Sequence, residues 1–111
     1  MAYDEDLANR IRELMADQDG VIEQRMFGGL AFLIGGHMTV AVSGQGGLLL
    51  HCDADETASL LEKPHAAPMI MRGKPIRGWV RVGTEGLRTK RTLKPWVDRG
   101  VRLARSLPPK G

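Results

Sequence analysis

The chain has little of what marks an exported or membrane-spanning protein. Its one cysteine, Cys52, cannot form an internal disulfide, and no basic-then-apolar leader precedes the acidic start at Tyr3 to Asp6. The longest uninterrupted apolar run, Leu30 to Ile34, is far shorter than the ~20 residues that a membrane helix needs. We therefore expect a cytoplasmic protein with no membrane span.

Acidic residues are scarce in the second part of the chain. Residues 1–71 hold four basic and eleven acidic residues, a net charge of −7, whereas residues 72–111 hold twelve basic and two acidic residues, a net charge of +10. Such segregation is typical of a basic face for nucleic acid or for an acidic partner. It also fits an acidic segment that packs beside a basic one, so that the charges complement each other internally.

The residues that could carry chemistry are few and scattered. His51 and Cys52 are adjacent in a predicted strand, so their side chains point to opposite faces and cannot form a nucleophile-base pair. His37 and His65 fall in a turn and a loop, with no carboxylate or second cysteine at a metal-ligand spacing. The glycine-rich stretch 44–47 lacks the lysine and hydroxyl residue of a phosphate-binding loop and leads into a strand, which indicates a hairpin turn. We expect no catalytic residue, no metal and no cofactor.

Local patterns predict one domain over residues 1–111, with a loose tail from Pro108. Apolar spacing and turn residues predict helices over 4–18, 54–63 and 93–106, and strands over 21–27, 30–34, 37–42, 48–52, 69–71 and 78–82. Asp53 and Glu56 predict a capping box for the second helix, which the loop from Pro64 to Pro68 should end. The fold class is α+β: two layers, with an antiparallel sheet of about five strands covered on one face by helices, in the order α-β-β-β-α-β-β-α.

Three motifs resemble the N-terminal domain of the TfoX (Sxy) competence regulators. They are Arg25-Met26-Phe27-Gly28-Gly29, Met69-Ile70-Met71-Arg72-Gly73-Lys74-Pro75 and Leu93-Lys94-Pro95-Trp96-Val97. The resemblance implies a two-layer fold with an antiparallel sheet, similar to secretion-chaperone-like folds, and no catalytic residues. Full-length members carry a second, helical domain and promote transcription of DNA-uptake genes together with the catabolite activator protein. The 111 residues have room for the N-terminal domain, so we expect that domain alone.

A basic segment is the other candidate site. Eight cationic side chains fall within 23 residues that contain one acid, bracketed in part by Trp79 and Trp96: Arg72, Lys74, Arg77, Arg81, Arg88, Lys90, Arg91 and Lys94. They could bind a polyanion, with a tryptophan stacking on a base. Alternatively, they form a solvated or internally paired face and both tryptophans are core anchors.

The sequence therefore favours a non-enzymatic regulatory or adaptor domain that binds a protein partner in bacterial transcriptional control. The alternative is a nucleic-acid-binding module that uses residues 72–94. Because helices cover only one face of the predicted sheet, strand faces or edges are left for a partner, and we expect a homodimer.

Overall fold

The computed structural model describes residues 3–26 and 28–109, which form three α-helices and six strands. In chain order the elements are α1 (Glu5–Leu14), β1 (Val21–Met26), β2 (Gly29–Ile34), β3 (His37–Val42), β4 (Leu48–His51), α2 (Thr57–Leu61), β5 (Ala66–Met71), β6 (Lys74–Val82) and α3 (Lys90–Ser106). Short 3-10 turns precede α2, at Ala54–Glu56, and α3, at Thr84–Leu87.

All six strands form one antiparallel sheet in the order β1-β2-β3-β4-β6-β5. The α+β class and the antiparallel sheet predicted from the sequence are confirmed. Four strands, and not three, precede α2. β6 lies between β4 and β5, so the chain passes through α2 to the far edge of the sheet before it returns.

The hairpin around Gly35-Gly36 and the first helix match their predictions. Ile34 pairs with His37, so the two glycines form the whole connection between β2 and β3. At the start of α1, the Asp4 carboxylate accepts a hydrogen bond from the Leu7 N–H at 3.1 Å. The helix buries one apolar stripe that includes Leu7 and Ile11.

The second helix is shorter than predicted, and the capping box predicted for it is absent, so that prediction is wrong. The Asp53 carboxylate accepts from the Asp55 N–H at 2.8 Å, but this caps the 3-10 turn, and Glu56 makes no side-chain cap hydrogen bond. The capping box lies instead at α3, where Thr89 and Thr92 exchange side-chain to backbone bonds at 3.2 Å in each direction. For this reason α3 begins at Lys90, three residues before the predicted start.

The predicted loop from Pro64 to Pro68 is also partly strand. β5 begins at Ala66 and contains Pro68. A proline is tolerated there because β5 is an edge strand, and an edge strand has main-chain N–H groups that need no partner in the sheet. The tail predicted to be loose from Pro108 makes a contact, since the His37 Nε2–H donates to the Pro108 carbonyl at 2.7 Å.

The core lies between one face of the sheet and the helices. Fully buried side chains on this helix-covered face include Phe32, Val40, Leu50 and Val80, which pair across neighbouring strands. α3 packs directly against β3 at Gly100, where an added Cβ would lie 2.6 Å from the Thr39 carbonyl oxygen. Among the described residues, no helix is long and apolar enough to cross a membrane.

Candidate functional site: an uncovered sheet face

The strand registers identify which side chains share the face that the helices do not cover. Directly paired residues in a sheet point the same way, and successive residues in a strand point to opposite faces. One transverse row of paired residues on the uncovered face comprises Gln24, Ala31, Ala41, Leu49, Arg81 and Ala67. A second row comprises Ile22, Leu33 and Met38, and continues with the paired residues His51 and Trp79. We call this surface the open face.

Most of the open face is apolar, and its large side chains are partly accessible, whereas Ala31 and Ala41 between them are buried. Leu33, Met38, Leu49 and Trp79 are half-buried, in contrast to the fully buried residues of the opposite face. Ile22, at the sheet edge, is 62% exposed. Six strands about 4.8 Å apart, most of them about 20 Å long, give the whole face a geometric area of roughly 500 Å², of which the apolar patch is a part. Apolar patches of roughly 300–600 Å² are the largest on typical monomers and are often functional.

Polar groups near the centre of the open face are tied to the sheet. The His51 ring stacks on Trp79 with ring centroids 4.4 Å apart and planes inclined by 17°. Its Nδ1–H donates to the Met38 carbonyl at 3.1 Å. The Arg81 guanidinium reaches along the face and donates to Ser43 Oγ at 3.1 Å. These contacts hold the aromatic pair and the guanidinium in defined positions.

The charge on the open face has one sign. Among the described strand residues that point to this face, none is acidic, and Arg81 makes no ion pair with a described residue. A guanidinium presents five N–H donors, and the Ser43 contact occupies only part of that capacity. The open face can therefore hold an apolar segment and one carboxylate.

The eight basic residues singled out in the sequence do not form one cluster. Three of them pair with nearby acids across 3.3, 3.1 and 2.7 Å respectively: Arg77 with Asp55, Arg88 with Glu85 and Lys94 with Asp98. All three pairs are solvent-exposed, and such pairs contribute little to stability. The Asp98 carboxylate also raises the pKa of Lys94, through a hydrogen bond and its charge.

The remaining basic residues lie at separate places. Arg72 and Lys74 lie at the turn between β5 and β6, whereas Lys90 and Arg91 begin α3, which follows the other end of β6. Eight residue steps of strand separate these ends by about 26 Å. Arg81 lies between them, on the open face. Polyanion binding by the segment 72–94 stays a prediction.

Among the described residues, one exposed ion pair and a few hydrogen bonds join the acidic and basic parts of the chain. Arg77 pairs with Asp55, and Arg105 of α3 donates at 3.0 Å both to Gln18 Oε1 and to the Asp19 carbonyl. In each case a residue from the basic C-terminal part contacts the acidic N-terminal part. Only the contact of Arg77 with Asp55 joins opposite charges, so internal pairing between the two parts is limited to that pair within residues 3–26 and 28–109.

The thiol and the histidines occupy separate environments. Cys52 is buried in the core, and this burial raises the pKa of its thiol. His51 lies on the open face, so the two side chains point apart, as predicted. Cys52 Sγ lies 3.7 Å from Thr57 Oγ1. Within residues 3–26 and 28–109, no three His, Cys, Asp or Glu side chains are grouped as metal ligands would be.

The glycine bend and the two tryptophans have distinct roles. Met26 pairs with Gly29, and a Cβ on Gly29 would overlap the carbonyl oxygen of Val42, so only glycine fits this crossing. Phe27 lies outside the described residues. Trp96 is buried in the core, as a core anchor should be, whereas Trp79 lies on the open face.

The family model described as the TfoX N-terminal domain matches residues 13–104. The chain belongs to this family. The matched range contains all six strands, and therefore the whole open face of this TfoX N-terminal domain. Comparison with curated proteins and with solved structures finds no match.

Proposed function

We propose that this TfoX N-terminal domain is a non-enzymatic regulatory or adaptor domain that acts by binding a partner protein on its open face. The observation that carries the proposal is the open face itself: a largely apolar sheet face, roughly 500 Å² in geometric area, that no described helix covers. Membership in the TfoX family supports a role in bacterial transcriptional regulation.

The chemistry of the open face indicates what kind of partner fits. Leu33, Met38 and Leu49 provide aliphatic contact, and Trp79 provides a large aromatic anchor of the type that dominates binding energy at interfaces. Arg81 adds a positive charge with spare donors. We infer that the partner contributes an amphipathic segment with an apolar side toward the sheet and a carboxylate that pairs with Arg81.

Two substitutions on the open face test the proposal, with one matched control. Leu49→Lys places a charge in the middle of the face, and Arg81→Glu reverses its charge. Met71→Lys introduces the same lysine at a methionine that is 47% exposed, in the β5–β6 hairpin away from the paired rows. Each variant is used as bait in a bacterial cytoplasmic extract, the captured proteins are quantified, and the selected protein is then purified and titrated.

A supporting result is a protein that binds wild type and Met71→Lys equally, and both open-face variants at least tenfold more weakly. Loss of one anchor contact of about 2 kcal/mol weakens binding by a factor of roughly 30. Thermal unfolding of each variant separates loss of binding from loss of folding. A binding protein that treats all four chains alike, or the recovery of no protein that distinguishes them, refutes the assignment of the open face.

A further inference from the structure

The two edges of the sheet are protected to different degrees. β5 forms one edge, where Pro68 and a register shift between Pro68 and Ile70 interrupt regular pairing. β1 forms the other edge and pairs with β2 without interruption over all six residues from Val21 to Met26. Proline and bulges are common devices that prevent a further strand from adding to an edge. Within the described strands, β1 has neither.

The pairing of β1 with β2 fixes which main-chain groups face outward. Met26 pairs with Gly29 across a two-residue connection, so this pair is hydrogen-bonded. Hydrogen-bonded and non-hydrogen-bonded pairs alternate along an antiparallel ladder. Residues 22, 24 and 26 therefore bond to β2, while the N–H and C=O groups of Glu23 and Arg25 face the open edge.

The outward-facing residues of β1 complement a second copy of the same strand. If two β1 strands pair antiparallel with Gln24 on the two-fold axis, Glu23 of each copy lies opposite Arg25 of the other. These two residues form a hydrogen-bonded pair, as their outward main-chain groups require. Shifting the register by two residues keeps the outward groups matched but places Glu23 opposite Glu23, or Arg25 opposite Arg25. Only the register centred on Gln24 therefore pairs opposite charges.

We propose that β1 binds β1 of a second copy in this register and that the chain forms a weak homodimer through its sheet edge. On the open face, the 62%-exposed Ile22 then lies opposite Met26 of the second copy. On the opposite face, the ion pair of Glu23 with Arg12, at 2.7 Å, extends to Arg25 of the second copy.

The dimer extends the open face without depending on what binds there. Directly opposite residues of an antiparallel pair point to the same face of the sheet. The open faces of the two copies therefore lie side by side on one continuous sheet. The edge pairing and the docking of a partner are separate properties, because Leu49 and Arg81 lie several strands away from β1.

Charge reversal tests the register. Sedimentation equilibrium over a wide concentration range should show a monomer-dimer equilibrium for wild type. Arg25→Glu should weaken it at least tenfold, because the introduced carboxylate then faces Glu23 of the second copy. The double variant Glu23→Arg with Arg25→Glu restores opposite charges across the axis and should recover the dimer. Thermal unfolding checks that each variant folds. A wild type that is monomeric at every concentration, or a dimer insensitive to Arg25→Glu, overturns the proposal.

A disulfide trap tests the axis. Gln24 forms a non-hydrogen-bonded pair with itself, with Cα atoms about 4.5 Å apart, within the range that a disulfide spans. Gln24→Cys should therefore link two chains rapidly under mild oxidation. Ile22→Cys, on the same strand and face, lies opposite Met26 and should link much more slowly. Equal rates for the two variants contradict the register. Leu49→Lys leaves β1 intact and should still dimerise. Its dimerisation therefore tests the edge pairing independently of partner binding on the open face.

Discussion

Gly100→Ala tests how closely α3 approaches the sheet. An alanine in the middle of a helix normally adds about 1 kcal/mol of stability relative to glycine. Here its Cβ would lie 2.6 Å from the Thr39 carbonyl oxygen and 2.8 Å from the carbonyl carbon, both main-chain atoms of a central strand. The helix must therefore move away from β3, which disturbs the packing of Trp96 and Val97, both buried beside it. Overpacking of this kind costs typically about 1–3 kcal/mol.

The gain of about 1 kcal/mol in helix propensity offsets part of the overpacking cost, so we expect Gly100→Ala to destabilise the domain by up to about 2 kcal/mol overall. For a domain of this length, 1 kcal/mol corresponds to about 4 °C in melting temperature, so the variant should melt up to roughly 8 °C below wild type. Differential scanning calorimetry and urea denaturation measure the change. The control is Arg102→Ala, an exposed position on the same helix, which should change stability by less than about 0.5 kcal/mol. A Gly100→Ala variant more stable than wild type would show that α3 does not approach the sheet this closely.

Three further predictions concern a buried hydroxyl, an exposed ion pair and the dispersed basic residues. The buried Thr57 hydroxyl accepts from the Gly78 N–H at 2.8 Å, so Thr57→Val should cost about 1–3 kcal/mol in urea denaturation, and Thr57→Ser much less. The Arg12 guanidinium lowers the pKa of Glu23 below its ordinary 4.5, so the exposed pair stabilises the fold at neutral pH. Arg12→Ala should cost about 0.2–1 kcal/mol at neutral pH, and less as acid protonates Glu23. Because the basic residues are dispersed, duplex DNA should not bind at physiological salt in an anisotropy titration. The nucleic-acid alternative would be favoured if the protein binds DNA tightly and loses that binding when Arg88, Lys90 and Arg91 are replaced by alanine.

Local signals in the sequence predicted the elements well where one residue type decides the geometry. The Gly35-Gly36 turn and the Asp4 cap are both present as expected. The prediction failed where position in the sheet overrides a local rule. Pro68 looked like part of a loop, but it is compatible with a strand because β5 lies at an edge, and sequence alone does not show which strand is the edge.

The open face could be predicted only in outline. Helices on one side of a sheet imply a bare opposite side, which the sequence had already indicated. Which residues occupy that side depends on the registers and on the insertion of β6 between β4 and β5. That insertion brings Trp79 beside His51, two residues far apart in the chain. Trp79 and Trp96 have similar local sequence signals, and only the tertiary pairing separates the surface tryptophan from the core one.

The two proposed surfaces, the open face and the β1 edge, have separate roles, and their sizes explain why. A stable interface between folded proteins buries about 800 Å² on each partner, more than the roughly 500 Å² of one open face. In our proposal one open face therefore binds a single amphipathic segment, and its contacts centre on Leu49, Trp79 and Arg81. The proposed pairing through β1 would align two such faces into roughly 1,000 Å² of continuous sheet surface. A proposed dimer of this small domain would then offer the contact area of a larger protein, while each copy alone would keep a complete face for a partner segment.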